Sequence, residues 1–180
     1  MKKTCKNSCD CRYENYPLAD VAACNLVSLT LIAAGALVLA RIGLEWTALY
    51  LVYCLALEAR LMGGHCVNCY YYGKTCAFGR GKLSALLFKK GNAKFDAMRV
   101  TWIDVAPDFL VSLILLAAGV FLLLKSFDWV LAGLLALIVV LSFAGNAFAR
   151  GSIACNHCAQ RELGCPAEKL FGKKSKKSGK

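Results

Sequence analysis

The stretch Leu26-Val27-Ser28-Leu29-Thr30-Leu31-Ile32-Ala33-Ala34-Gly35 returns in the second half of the chain as Leu110-Val111-Ser112-Leu113-Ile114-Leu115-Leu116-Ala117-Ala118-Gly119. The first copy lies in an uncharged run from Val21 to Ala40, which as a helix matches a bilayer core of about 30 Å. Three more apolar runs follow: Trp46 to Leu57, continuing helically past Glu58 and Arg60 to about Met62; Phe109 to Leu124; and Trp129 to Ala149. The turns Arg41-Ile42-Gly43-Leu44-Glu45 and Lys125-Ser126-Phe127-Asp128 are short, so the helices on either side of each must be antiparallel neighbours.

The echo extends beyond the apolar runs. Arg41 matches Lys125, Glu45-Trp46 matches Asp128-Trp129, and Cys66, Cys69 and Cys76 match Cys155, Cys158 and Cys165. Apolar helices resemble each other by chance, but a C-x2-C-x6-C at the same place after each hairpin does not arise easily that way. The expected fold is therefore an all-α integral membrane protein, with four transmembrane helices arranged as two tandem duplicated hairpins. Each unit has an even number of helices, so the copies share one orientation and a parallel pseudo-two-fold axis along the membrane normal. Ala33-Ala34-Gly35 and Ala117-Ala118-Gly119 suit close helix packing in lipid.

These boundaries divide the chain into five parts. Residues 1–20 form a Cys-rich tail, 21–76 the first repeat, 77–107 a linker, 108–165 the second repeat and 166–180 a basic tail. Within the linker, Lys82 to Lys90 reads as a short amphipathic helix in the headgroup region, and Pro107 suits the first turn of the third long helix. The N-terminal segment does not resemble a cleavable signal and is expected to be retained.

Composition agrees with the membrane reading. The 180 residues are 58% hydrophobic with a mean hydropathy of +0.53, too apolar for an ordinary soluble domain. The net charge is +11, and of the 22 Lys and Arg only Arg41 and Lys125 fall in the hairpin turns. The positive-inside rule then places both termini, the linker and both cysteine motifs on the cytoplasmic side of a cell (inner or plasma) membrane. The expected partners are the bilayer, anionic lipid headgroups on the basic face, and other membrane subunits or a second copy of the chain. Nucleic acid is not among them, because a Lys/Ser/Gly tail beside a membrane is ordinarily a solvated anchor.

The 11 cysteines carry the chemistry. Cys24 and Cys54 lie within apolar runs and read as small buried hydrophobes. The others form three groups: Cys5, Cys9 and Cys11; Cys66, Cys69 and Cys76; Cys155, Cys158 and Cys165. Clustered thiols facing a reducing cytosol point to metal ligation, by an iron-sulfur cluster or by zinc, in preference to structural disulfides. Both centres ordinarily take four ligands, whereas each repeat supplies three thiols. The missing ligand can come from a histidine, from the N-terminal trio, or by sharing across the pseudo-two-fold. His65 and His157 occupy non-equivalent positions and are read as facing solvent. Tyr70-Tyr71-Tyr72 reads as an interfacial aromatic belt, opposite Ala159-Gln160-Arg161 in the second copy. Glu58, the acid inside a run, and Asn146 are candidate cleft residues.

The expected function is a metal-binding membrane subunit serving electron transfer or structure. The first alternative is a membrane thiol-disulfide oxidoreductase. In helix number and the C-x2-C spacing the chain resembles the quinone-linked disulfide-forming proteins and the vitamin K epoxide reductases, which work chiefly from the opposite membrane face. The second alternative is a transporter of soft metal ions, for which the apolar runs offer only Cys24 and Cys54 as thiols. Whether the protein is an enzyme is left open; phosphate loops, metalloprotease motifs and nucleophile elbows are missing from the sequence.

Overall fold

The computed structural model describes residues 3–5, 11–93, 95, 101–161 and 163–165. Cys9, the basic tail and part of the linker lie outside the described residues, as do the side chains of Cys5 and Cys11.

The protein is mostly helical. A small antiparallel pair, β1 (Lys3–Cys5) and β2 (Cys11–Tyr13), sets Cys5 opposite Cys11. After Pro17 the chain enters α1 (Leu18–Ala40), turns tightly, and returns along α2 (Leu44–Gly64). The short α3 (Arg80–Leu87) follows the first cysteine loop, and α4 (Trp102–Lys125) begins the second hairpin. Its return helix α5 starts at Trp129 as a regular α-helix and continues through wider-wound π-type turns to Ala154.

Two of these helices, Leu18–Ala40 and Trp129–Ala154, are long and apolar enough to cross a bilayer. The second runs five residues past its expected end at Ala149. α2 combines apolar residues with Glu58, Arg60 and several aromatic residues, and α4 is apolar from Phe109 to Lys125.

α4 also starts earlier than its apolar run. Thr101 and Asp104 form a capping box: the Thr101 amide donates to the Asp104 carboxylate at 2.9 Å and its hydroxyl does so at 2.8 Å. Pro107 therefore falls inside the helix, not in its first turn. The proline lacks the amide that would bond the Ile103 carbonyl, and the cap upstream offsets that loss.

α1 is central, lying against α2, α4 and α5, whereas α2 packs on α1 and α3. Away from the cysteines, the core consists of Ala34 and Val38 from α1 with Leu131, Leu135 and Ile138 from α5. The small residues permit the close approach. A Cβ on Gly35 would come within 2.6 Å of the Tyr50 hydroxyl, and one on Gly119 within 2.3 Å of Leu135. At this end Arg41 in the first turn pairs with Asp128 in the second at 3.1 Å, while Asp128 also caps α5 through the Val130 amide.

Candidate functional site

At the opposite end of the helices the chain leaves α2 at His65 and α5 at Cys155, and the two cysteine loops meet. Their local folds match although their sequences differ. In Cys66-Val67-Asn68-Cys69 the last amide donates to the first carbonyl at 3.2 Å; in Cys155-Asn156-His157-Cys158 it does so at 3.5 Å. The next turn repeats as well, with Tyr72 N–H on the Cys69 carbonyl at 3.0 Å and Arg161 N–H on the Cys158 carbonyl at 3.2 Å.

Cys76 Sγ accepts from the Gly81 amide at 3.4 Å, at the start of α3.

Each loop also holds the other. Ala159 N–H donates to the Tyr71 hydroxyl at 3.0 Å, and Tyr70 N–H donates to Gln160 Oε1 at 2.7 Å. Both donors directly follow the second cysteine of their motif, and both acceptors belong to the residue after that. The remaining valences differ. The Tyr71 hydroxyl donates to the Tyr13 carbonyl at 2.8 Å, whereas Gln160 Nε2 donates to the Gly164 carbonyl at 3.4 Å within its own loop.

The N-terminal segment seals the junction. Tyr13 N–H donates to the His157 carbonyl at 3.2 Å, and its ring stacks on His157 at 4.8 Å. Tyr16 donates from its amide to Thr75 at 2.9 Å and from its hydroxyl to Ala154 at 2.5 Å. Tyr16, Cys24, Tyr71, Ala77 and Ala149 form the buried centre, with Cys69, Cys76 and Cys158 packed against it. Glu58 pairs with Arg80 of α3, and Asn146 donates to Ser142 in its own helix at 3.3 Å.

Burial governs the thiol chemistry. It pushes Cys66, Cys69 and Cys158 from 9.0 up to about 11, because an anion is poorly solvated there. Backbone hydrogen bonds at Cys69 and Cys158 oppose that rise, while neighbouring thiols add to it. Tyr71 is likewise pushed up to about 12 by burial, and Tyr16 is raised for the same reason.

The six repeat cysteines thus come to one end of the molecule, with Cys155 exposed. β2, which carries Cys11, runs into Tyr13 beside Cys158. Among the described residues, no three His, Cys, Asp or Glu side chains stand close enough together to hold a metal ion.

No protein-family model, curated protein or solved structure matches this chain.

Several expectations change. His65 does not simply face solvent, since its Nδ1 is buried and without a hydrogen-bond partner among the described residues. His157 is stacked under Tyr13. Tyr71 is 3% exposed and joins three segments, so it is not part of an outer aromatic belt. Gln160, Tyr13 and Tyr16 were not singled out in the sequence. Setting the two C-x2-C motifs in register points to the first of these, because Tyr71 and Gln160 fall at one position and both carry an acceptor oxygen.

Proposed function

We propose that the chain is a multi-pass membrane protein whose cysteine cap binds an iron-sulfur cluster or zinc on the cytoplasmic side, as an electron-transfer or structural subunit of a membrane complex. In this reading α1, α2, α4 and α5 all cross the bilayer, as two hairpins related by a pseudo-two-fold along the membrane normal. Only 22% and 17% of the two long apolar windows are buried, which favours lipid as their surroundings over a protein core. Leu29, Leu37, Leu55, Leu113 and Leu124 are among the large apolar side chains turned outward. On α3, the exposed Leu83, Leu86 and Leu87 beside Lys82, Lys89 and Lys90 suit an anionic headgroup layer.

The observation that supports the metal reading is the convergence of the two C-x2-C loops on one buried junction, tied by Ala159 N–H on the Tyr71 hydroxyl and Tyr70 N–H on Gln160 Oε1, with Cys76 Sγ accepting from the Gly81 amide at 3.4 Å. Hydrogen bonds to sulfur stabilise the thiolate that a metal requires, and a bound cation compensates the charge that burial disfavours. The same burial weighs against thiol-disulfide catalysis, because a thiol pushed up to about 11 carries little thiolate at neutral pH. Zinc would supply a structural clamp, and an iron-sulfur cluster would supply one-electron transfer.

Anaerobic purification in detergent followed by elemental analysis, sulfide assay and absorption spectroscopy tests this reading. Stoichiometric zinc without visible absorbance selects the structural role. Iron with labile sulfide selects electron transfer. Metal-free protein whose Cys66 and Cys69 cycle with a quinone replaces the metal reading with the oxidoreductase.

A further inference from the structure

The short helix α3 is tied to the first cysteine loop at both of its ends. At the start, the Gly81 amide donates to Cys76 Sγ at 3.4 Å and the Gly81 carbonyl accepts from the Gly73 amide at 3.0 Å. Helix and loop are so close here that a Cβ on Gly81 would come within 2.1 Å of the Tyr71 carbonyl oxygen. Past the last turn, the Phe88 carbonyl accepts from the Tyr72 hydroxyl at 2.8 Å. The Gly91 amide donates at 3.1 Å to Val67, which lies between Cys66 and Cys69. In the middle of α3 the buried Ser84 hydroxyl donates to the Met62 carbonyl at 3.4 Å, fastening the same side of the helix to the end of α2.

The opposite side of α3 faces outward. Leu83, Leu86 and Leu87 follow the helical spacing of three and four and are 46%, 81% and 61% exposed. Lys82, Lys89 and Lys90 flank them, all exposed, and none forms an ion pair with a carboxylate among the described residues. Arg80, by contrast, is paired with Glu58. A leucine stripe bordered by lysines, held beside the end of α2, complements an anionic bilayer surface: the apolar side chains enter the headgroup boundary and the cations meet phosphate.

We propose that α3 is a lipid-responsive strap: docked on an anionic bilayer surface through its leucine stripe and the three lysines, it holds the first cysteine loop closed and limits access to Cys66, Cys69 and Cys76. This rests on the membrane reading above and adds regulation to it, and it applies whether or not the cap binds metal. The second loop is tied to the first through Tyr71 and Gln160, so Cys155, already exposed, lies outside the strap's control.

Full-length protein from one preparation is placed in nanodiscs of phosphatidylcholine, or of phosphatidylcholine and phosphatidylglycerol in equal parts, so that any bound metal is common to both. Alkylation of each cysteine by N-ethylmaleimide is timed by mass spectrometry. Each lysine at an anionic surface contributes about a fivefold preference, so the anionic discs should slow Cys66, Cys69 and Cys76 by about 10-fold or more while leaving Cys155 within about 2-fold. Added salt should remove most of the difference. Lys82→Gln/Lys89→Gln/Lys90→Gln should abolish the lipid dependence without changing the melting temperature in phosphatidylcholine. Tyr72→Phe, which cuts one tie between loop and strap, should weaken the protection given by anionic lipid.

Equal alkylation of the first-loop thiols in the two discs overturns the strap and leaves the membrane reading standing. A lipid effect that survives the triple lysine substitution, or that slows Cys155 as much as Cys69, belongs to the bilayer as a whole and overturns the role of α3. Discs that hold two chains, falling to one with Leu86→Ser/Leu87→Ser, put a second copy on this face and overturn the lipid assignment. Protein that inserts in neither disc overturns this inference together with the membrane reading.

Discussion

The loops that follow the two hairpins use the same backbone and unlike side chains. Two residues beyond the second cysteine, Tyr71 in one loop and Gln160 in the other both accept an amide from across the seam. The phenol has a single oxygen and spends its proton on Tyr13, drawing in the N-terminal segment. The carboxamide has a separate donor and uses it on Gly164, bracing the loop around Cys165. The two side chains thus share one task and differ in their second bond. The asymmetry of the cap follows from this: the N-terminal segment reaches both loops through Tyr13 and Tyr16, and α3 braces only the first, through Gly81 and Cys76.

The most severe test of the comparison removes both acceptors. Tyr71→Phe leaves the Ala159 amide buried without a partner and also frees Tyr13; Gln160→Leu does the same to Tyr70. Each should lower stability by about 1 to 3 kcal/mol, read as a fall in the detergent-solubilised melting temperature, since each loses two bonds. The double variant should cost less than the two singles together, since both act on one seam. Additive costs would mean that the two clamps work independently.

A smaller effect concerns pH. Cys69 and Cys158 are raised from 9.0 to about 11 in the folded protein, so the native state holds their protons where the unfolded chain releases them. Their contribution to stability is complete below pH 9 and is lost as pH rises through about 11. Melting curves of metal-free protein between pH 8 and pH 11 should decline over that window. A Cys69→Ala/Cys158→Ala protein should decline less, and an unchanged slope would mean that these two thiols are not the titrating groups.

The smallest effect belongs to the far end. Arg41 and Asp128 tie the two hairpin turns but are substantially exposed, 53% and 33%. Arg41→Gln should cost no more than about 0.2 to 1 kcal/mol, and the loss should shrink with added salt. A cost matching that of Tyr71→Phe would move the main link between the hairpins from the cap to the turns.

Much of the helical architecture was legible from local pattern. Uncharged apolar runs of helical length mark α1 and α5, and the small residues around Gly35 and Gly119 mark places where helices approach closely. The start of α4 was placed too late because apolarity stood in for helicity, although Thr101-x-x-Asp104 is itself a start signal. The C-x2-C-x6-C spacing identified the cysteines as a group. The roles of Tyr71, Tyr16 and Gln160 stayed hidden because each partner is a backbone group far along the chain. Tyr71 and Ala159 are 88 positions apart, and Tyr70 and Gln160 are 90.

Apolar periodicity and cysteine spacing are local properties, and residue order alone establishes that this chain is helical, strongly apolar and equipped with two matching thiol motifs. The pairing of those motifs across one buried seam came from the packing of α1 against α5, which brings Ala149 and Ala154 over Cys24 and Tyr16. Every residue but proline offers the same amide, so a bond to the backbone leaves no mark on the identity of its donor. Three-dimensional proximity selects which amide is bonded, and with it which thiols become neighbours.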